Sequence, residues 1–316
     1  NSQIKPKDFE KLNNFFWLFS LDLKSSKKSV KKVITNWITN NSHFKKESWE
    51  FDMTAKRIIS CLSNHPLTYD DNDKEYRSIF DHMIQKQTNH LLNEIKNSKD
   101  LENKIIGCTA IILTGLCYKI NKNYLEIGLS FLKKITVSSI DNQGFTRSRN
   151  IKQLIFFLKY FVLIREWFKE AQVEVPDHIE ENIYYFGQGY AFIRQNIATD
   201  LLFNGNNNSN TYDLDNYLKR LGYKFKNENK DYGGYIILKN KKICLAMDAG
   251  SSPNSKYTQD YQSGALSFEI ISNGKKLITN CGYYKKNNQN LNEISKSSAT
   301  HSTLIIDDNS SCKFTK

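Results

Sequence analysis

The sequence predicts a multidomain α+β chain, an incomplete α/α toroid of helices followed by an antiparallel β-sandwich that is truncated at the C-terminus. Three observations predict it. Apolar residues recur at helical spacing through the first 190 positions. Two segments there, "KIIGCTAIILTGLCYKI" and "QLIFFLKYFVLIREWF", are apolar nearly all round, as helices buried on more than one side are. Beyond residue 190 the pattern switches to period two.

The helices follow in order. In "SVKKVITNWITNN", Val30, Val33, Ile34, Trp37 and Ile38 fall on one face. "MTAKRIISCLSN" runs to a stop at His65-Pro66. "YRSIFDHMIQKQTNHLLNEI" spaces Ile79, Met83, Ile84, Leu91 and Leu92 among polar residues. Amphipathic helices alternating with all-round apolar ones imply an inner set covered by an outer set. Helical hairpins in an α/α toroid produce this arrangement; so does a solenoid, but no fixed-period repeat is present. Asp141, Asn142 and Gly144 form a turn between the two apolar segments.

After residue 190, "YAFIRQ", "ATDLLFN", "GGYIILKN", "KICLAMDAG", "ALSFEIIS", "KKLITNCG" and "HSTLIIDD" alternate as half-buried strands do. Glycines 187 and 189 are expected to break the preceding helix. "SNGKK" signals a type I′ hairpin, and "YDLDNYLKRL" a short helix. Helices first and antiparallel strands second imply separate domains, placed at 1–188 and 189–316. The 316 residues suffice for two domains, and 39% hydrophobic content suffices for their cores. The chain begins at Asn1 and stops just after a strand, so a piece lacking both termini is expected.

The net charge is +12. Residues 191–316 hold 17 Lys and Arg against 11 Asp and Glu, a net of +6, so the other +6 lies in the first 190. A polyanionic partner fits this excess, and so does a composition rich in Lys, Asn and Ile throughout. The basic residues form no stripe and match no nucleic-acid module, so nucleic acid is not the expected partner. The six cysteines form no CxxC pair, which argues against a disulfide framework or a zinc ribbon. The apolar runs fall short of the roughly 20 residues that cross a bilayer. Arg147, Arg149 and Asn150 crowd the start of a helix. Cations there oppose the helix dipole, so contact with an anion is one expectation and a solvated loop the other.

The run "DAG…SGALSFEI…LITNCG…THSTLIIDD", with "ESWEFDMTAKRI", "FTRSRN" and "YAFIRQNIATDLLFNG" before it, resembles the heparinase II/III-like family, and looks closest to its alphaproteobacterial branch. The resemblance implies a helical toroid, a β-sandwich and polysaccharide lyase chemistry on a uronate-containing glycan. In that β-elimination a base removes the C5 proton, an acid protonates the leaving glycosidic oxygen, and the carboxylate must be neutralised for the proton to be acidic enough. It also implies the cell envelope or periplasm, with the cytoplasm as the alternative.

Carried over residue by residue, the family's His-x-His-x-Asp before "LSFEL" reads Asp260, Gln262 and Gly264 here. Asp260 stands at a catalytic position. The metal trio of relatives reads Gln262, Asn280 and His301, a degraded set because neutral amides are poor zinc ligands, so no cofactor is expected. Asn103, beside Glu102, falls where relatives carry an Asn-His pair. The toroid tyrosine is absent near Gln153 and Leu154, whereas Tyr284 matches a cleft tyrosine. The resemblance therefore implies Tyr284, Asp260 and His301 as catalytic, and Asn103, Arg147, Arg149, Asn150 and Gln262 as substrate-binding. "NHLLNE" is similar to a motif of active relatives, but that placement shifts the "AIILTGL" helix out of register, so His90 reads as an outer-helix residue. His43, His65, His82 and His178 are expected to face solvent. A glycan-binding or scaffolding protein that has lost the chemistry is the alternative.

Overall fold

The structure, a computed structural model, describes residues 5–22, 26–118, 123–194, 199–207, 212–284 and 289–312. Compactness groups the chain into two units. Unit 1 is Asn1–Thr136 with Leu163–Val175, and unit 2 is Val137–Val162 with Pro176–Lys316.

Unit 1 is helical. It contains α1 (Pro6–Asn14), α2 (Lys27–Asn40), α3 (Phe51–Ser63), α4 (His65–Thr68), α5 (Lys74–Glu94), α6 (Leu101–Cys117) and most of α7 (Tyr124–Ser139). The layering follows the sequence pattern. Helix α6 is buried at every position from Ile105 to Thr114, whereas α2 buries only Val30, Ile34 and Ile38. Helix α3 lies against α6, and α2 lies against α4 and α5. Asp73 caps α5 through the Tyr76 amide (2.9 Å), and Asp100 caps α6 through the amides of Glu102 and Asn103 (2.9 and 3.1 Å).

The centre of unit 1 holds a fully buried cation. Arg57 donates to the Asn13 carbonyl (2.5 Å), Gln87 Oε1 (3.0 Å) and Thr54 Oγ1 (3.2 Å), and lies 4.0 Å from the Trp37 ring centroid. Burial pulls its pKa down to about 9. His90 is tied to the Trp49 carbonyl (3.0 Å) among the rings of Phe44 and Trp49. His43, His65 and His82 are exposed as expected, but His178 is half-buried.

Unit 2 holds the start of α8 (Ile151–Glu170), then α9 (Asp177–Arg194), α10 (Tyr212–Arg220), and a sheet of β1 (Asp231–Tyr232), β2 (Tyr235–Lys239), β3 (Ile243–Asp248), β4 (Phe268–Ser272) and β5 (Lys275–Ile278). A short helix, α11 (Gln289–Lys296), follows. The sheet is an antiparallel meander in the order β1-β2-β3-β4-β5. In its β4–β5 turn Asn273 and Gly274 both have positive φ (48° and 76°), as a type I′ turn requires. One face buries Tyr235, Ile237, Ala246, Asp248, Glu269 and Ile271. The other leaves Leu238, Ile243 and Leu277 exposed.

Three expected strands are not strands. Residues 190–194 of "YAFIRQ" finish α9, because Ile179, Ile183, Phe186, Tyr190 and Ile193 continue a buried helical stripe that outweighs a short alternation; Gln195 lies outside the described residues. Residues 199–204 of "ATDLLFN" form an irregular loop, with Ala198 outside the described residues. "HSTLIIDD" contributes only an isolated bridge, Ile306 to Asn309. Glycines 187 and 189 stay helical. A Cβ on Gly187 would stand 2.1 Å from the Phe225 ring, and one on Gly189 would stand 2.9 Å from Leu154. Their role is close approach, not termination.

Gly187→Ala is therefore expected to destabilise unit 2 by about 1–3 kcal/mol through overpacking. In a Phe225→Ala background the same change should cost much less. Urea unfolding of the four-member cycle measures the coupling, and additive effects would rule out this contact.

Candidate functional site

The 141–150 turn, the 199–207 loop and the buried face of the sheet meet within unit 2. Arg149 is in the left-handed region (φ 57°), directly before Asn150 and helix α8. Its guanidinium points inward and pairs with Asp248 of β3. It also donates to the carbonyls of Gly234 (2.9 Å), Ser251 (3.1 Å) and Gly233 (3.5 Å), and its Cζ lies 4.9 Å from the Tyr235 ring centroid. A Cβ on Gly234 or Gly250 would reach guanidinium atoms at 2.9 or 2.5 Å, so both positions must lack one. Burial pushes the Asp248 carboxyl up, and Arg149 and Asn204 oppose that rise.

This corrects the expectation that Arg149 binds substrate. A carboxylate and three carbonyls of its own chain occupy it. The anion that Arg149 contacts is Asp248 of its own chain, to which the long side chain carries the charge away from the helix terminus. Arg147 is exposed and its Nε donates to the Ile140 carbonyl (2.7 Å), which leaves it at the surface end of the turn. Asn150 is buried and caps α8, its Oδ1 accepting from the Gln153 amide (3.2 Å).

The loop 199–207 joins these parts. Asn204 donates to Tyr235 Oη and Asp248 Oδ2, both at 2.8 Å. Gly205 follows at φ 83°. A Cβ there would strike Asn150 Nδ2 at 2.4 Å and Asp260 Cβ at 2.9 Å, so Gly205 lets Asn150 and Asp260 come together. The Gly205 amide donates to Gln262 Oε1 (3.1 Å). Gln262 Nε2 donates to the carbonyls of Ser295 (2.6 Å) and Gly282 (3.1 Å). Glu269 is fully buried on β4. It accepts from Lys276 Nζ (3.0 Å), Thr279 Oγ1 (2.8 Å), and the amides of Asn280 (3.0 Å) and Leu202 (3.3 Å).

The trio Gln262, Asn280 and His301 does not fit a metal. Both polar ends of Gln262 serve backbone groups. Asn280 Oδ1 accepts from the Ser302 amide (3.0 Å), which fixes the orientation of its amide and leaves Nδ2, a donor, buried and without a partner among the described residues. His301 Nε2 lies 3.2 Å from the Ser295 carbonyl. A carbonyl only accepts, so Nε2 carries the hydrogen in the neutral ring. Among the described residues no group of three His, Cys, Asp or Glu could hold a metal ion. The Gln262–Ser295–His301 connections brace loops. Asn103 lies in unit 1, in a pocket with Glu10, Glu47, Glu50 and Asp52. Burial raises the Glu50 carboxyl there, with Asp52 and Glu10 adding to the effect. Four carboxyl groups make a poor seat for a uronate.

Tyr284 stands apart from the braces. It is 38% exposed and lines a pocket of about 650 Å³ with Lys152, Asn207, Tyr283, Cys281 and Thr300. Among the described residues, no acidic one lines this pocket. Among the described residues, neither the Tyr284 hydroxyl nor the Lys152 ammonium has a hydrogen-bond partner. Lys152, in the first turn of α8, is the cation the sequence reading missed. The signal was the same dipole argument, carried two residues further. Asp248 and Gly205 were also missed, although they lie inside the quoted "DAG" and "LLFNG".

Removing one member of the buried pair strands the other. Arg149→Met and Asp248→Leu are each expected to cost about 3–5 kcal/mol in urea unfolding, and the double variant less than their sum. A second prediction concerns pH. Burial lowers the His301 imidazole below its ordinary 6.5, with the Ser295 carbonyl opposing. A depressed histidine contributes stability that is complete above the unfolded value and is lost as pH falls through the folded one. Stability should therefore drop as pH falls below about 6.5, the unfolded value, and drop less in His301→Gln.

Comparison with known proteins gives a consistent result. Residues 227–316 match the family described as Heparinase II/III-like, C-terminal. No curated protein matches the sequence. A heparinase III crystal structure superimposes with a TM-score of 0.77 at 15% identity, covering 98% of this chain and 57% of that one. The heparan sulfate lyase HepC from Pedobacter heparinus gives 0.71 at 12% identity, covering 98% and 55%. A further heparinase III gene product gives 0.70 at 15% identity, covering 96% and 55%. The chain thus spans a little over half the length of these proteins. At such identities the likeness establishes the fold, an α/α-toroid type helical part followed by an antiparallel sheet of the β-sandwich part. None of the matches bears on the alphaproteobacterial branch.

Proposed function

We propose that this chain, whose residues 227–316 match the family described as Heparinase II/III-like, C-terminal, acts as a polysaccharide lyase on an acidic, uronate-containing glycan seated in the Tyr284 pocket. The observation that carries this reading is the pairing of an exposed phenol with a cation, Lys152, in a pocket that no carboxylate lines among the described residues. Lys152 and the Asn207 amide hold the substrate carboxylate and neutralise its charge, which makes the C5 proton removable. The Tyr284 phenolate takes that proton. The C5–H electrons form the C4–C5 double bond, the C4–oxygen bond breaks, and the phenol returns the proton to the leaving oxygen. His301 and Gln262 keep the surrounding loops in place. The cell envelope or periplasm suits such a substrate.

A second reading, a glycan-binding relative without the chemistry, is favoured by one observation. Gln262 and Asn280, the positions that the resemblance aligns with metal ligands, are both committed to backbone groups. Ultraviolet absorbance of the unsaturated uronate product, followed on a panel of acidic polysaccharides, separates the readings. Tyr284→Phe is expected to slow product formation by about 10²–10⁴-fold, and Lys152→Ala to raise KM as well. Undiminished product in Tyr284→Phe removes that residue from the mechanism. Binding without product in the wild type moves the assignment to the second reading.

A further inference from the structure

A second pocket of unit 2 has no part in this chemistry. It has a volume of about 380 Å³, within the roughly 300–1,000 Å³ of ligand sites. It lies between the end of α9, helix α10 and the segment "GYKFKNEN" that leads to the sheet. That segment alternates in burial. Tyr223 and Phe225 are half-buried, while Lys224 and Lys226 are exposed. The two rings stack with centroids 5.5 Å apart and planes 27° apart. Phe225 also fills the space left by Gly187, so part of its role is to fix the segment on α9.

Three of the pocket's cations have no such explanation. Arg194, Lys219, Lys224, Lys226 and Lys239 all line the pocket. Arg194 is committed to Asp215 (3.1 Å) and Asp200 (3.4 Å). Among the described residues, Lys219, Lys224 and Lys226 have no carboxylate within ion-pair distance. Three unpaired ammonium groups on one pocket repel each other, and a bound anion would relieve that repulsion.

We infer that this pocket is a secondary binding site for an acidic polysaccharide, holding a stretch of the chain away from the Tyr284 pocket. The inference rests on the reading that the ligand is an acidic glycan. The lining favours a glycan over a nucleic acid. Asp215, which accepts from Arg194 and Tyr190, and Glu228 place carboxylates among the lysines. Carboxylates repel a phosphate backbone but accept hydrogen bonds from sugar hydroxyls. A ligand carrying both anions and hydroxyl donors therefore suits the pocket. The stacked rings offer an apolar face to the C–H side of a sugar.

Heparin is the probe. Its affinity for the whole chain is measured across a salt series, for the wild type, for Lys219→Ala/Lys224→Ala/Lys226→Ala, and for Lys27→Ala/Lys28→Ala/Lys32→Ala as a charge-matched control on α2. The first triple variant should weaken binding at least tenfold and flatten the salt dependence by about two to three released counterions. The control should do neither. Equal losses in both triples would mean that diffuse charge holds the polyanion, and would overturn the inference. So would a wild type that fails to bind heparin, or a single-stranded oligonucleotide of similar charge that competes as well as heparin does. Product formation is read separately. Lysine-dependent heparin binding with no unsaturated product on any glycan would sink the lyase assignment and leave this site standing.

Discussion

The buried pair of Arg149 and Asp248 is the constraint on which the arrangement of unit 2 depends. A guanidinium removed from water must be surrounded by acceptors, or its desolvation is not offset. Here the acceptors come from separated segments: Asp248 ends β3, Gly233 and Gly234 precede β2, and Ser251 follows the "DAG" turn. Satisfying one cation therefore positions the 141–150 turn, two strands and a loop together. Asn204 reaches the other oxygen of Asp248 and Tyr235 Oη, which ties the 199–207 loop to the same centre. The left-handed backbone at Arg149 and the close approach at Gly250 are local costs accepted for that geometry.

From that centre the structure spends polar groups on holding loops. Gly205 sits between Asn150 and Asp260, Gln262 ties Gly205 to Gly282 and Ser295, and Glu269 gathers Lys276, Thr279, Asn280 and Leu202. Neutral amides suit this work, since each offers donors and acceptors without a charge to desolvate. Groups so committed have little left to offer a ligand. Tyr284 and Lys152 differ because their polar ends face an open pocket, and the reading of that pocket follows from which groups remain available.

Much of the fold was legible because it rests on periodicity. The one-sided stripe of α2 and the all-round burial of α6 follow from how many faces each helix covers. The Asn273-Gly274 turn follows from backbone sterics alone. Legibility failed where a short window admits two periods. The alternation in residues 190–194 yields to the longer helical stripe of α9. It failed again at Gly187, a glycine that reads as a helix breaker and serves as a niche for Phe225, a partner distant in sequence.

The site divides in the same way. By itself the sequence determined the residue types available: a tyrosine near the end of the hairpin, arginines at a helix start, amides in place of charged ligands. These follow from composition and local spacing. Tertiary structure alone decided where each side chain points. Arg149 and Arg147 are two residues apart, yet one is buried against Asp248 and the other is at the surface. Asn103 carries the expected amide, but it shares its pocket with four carboxyl groups. Lys152 drew no notice in the sequence and lines the same pocket as Tyr284. A side chain's partners depend on contacts across tens of residues, and one-dimensional patterns do not encode them.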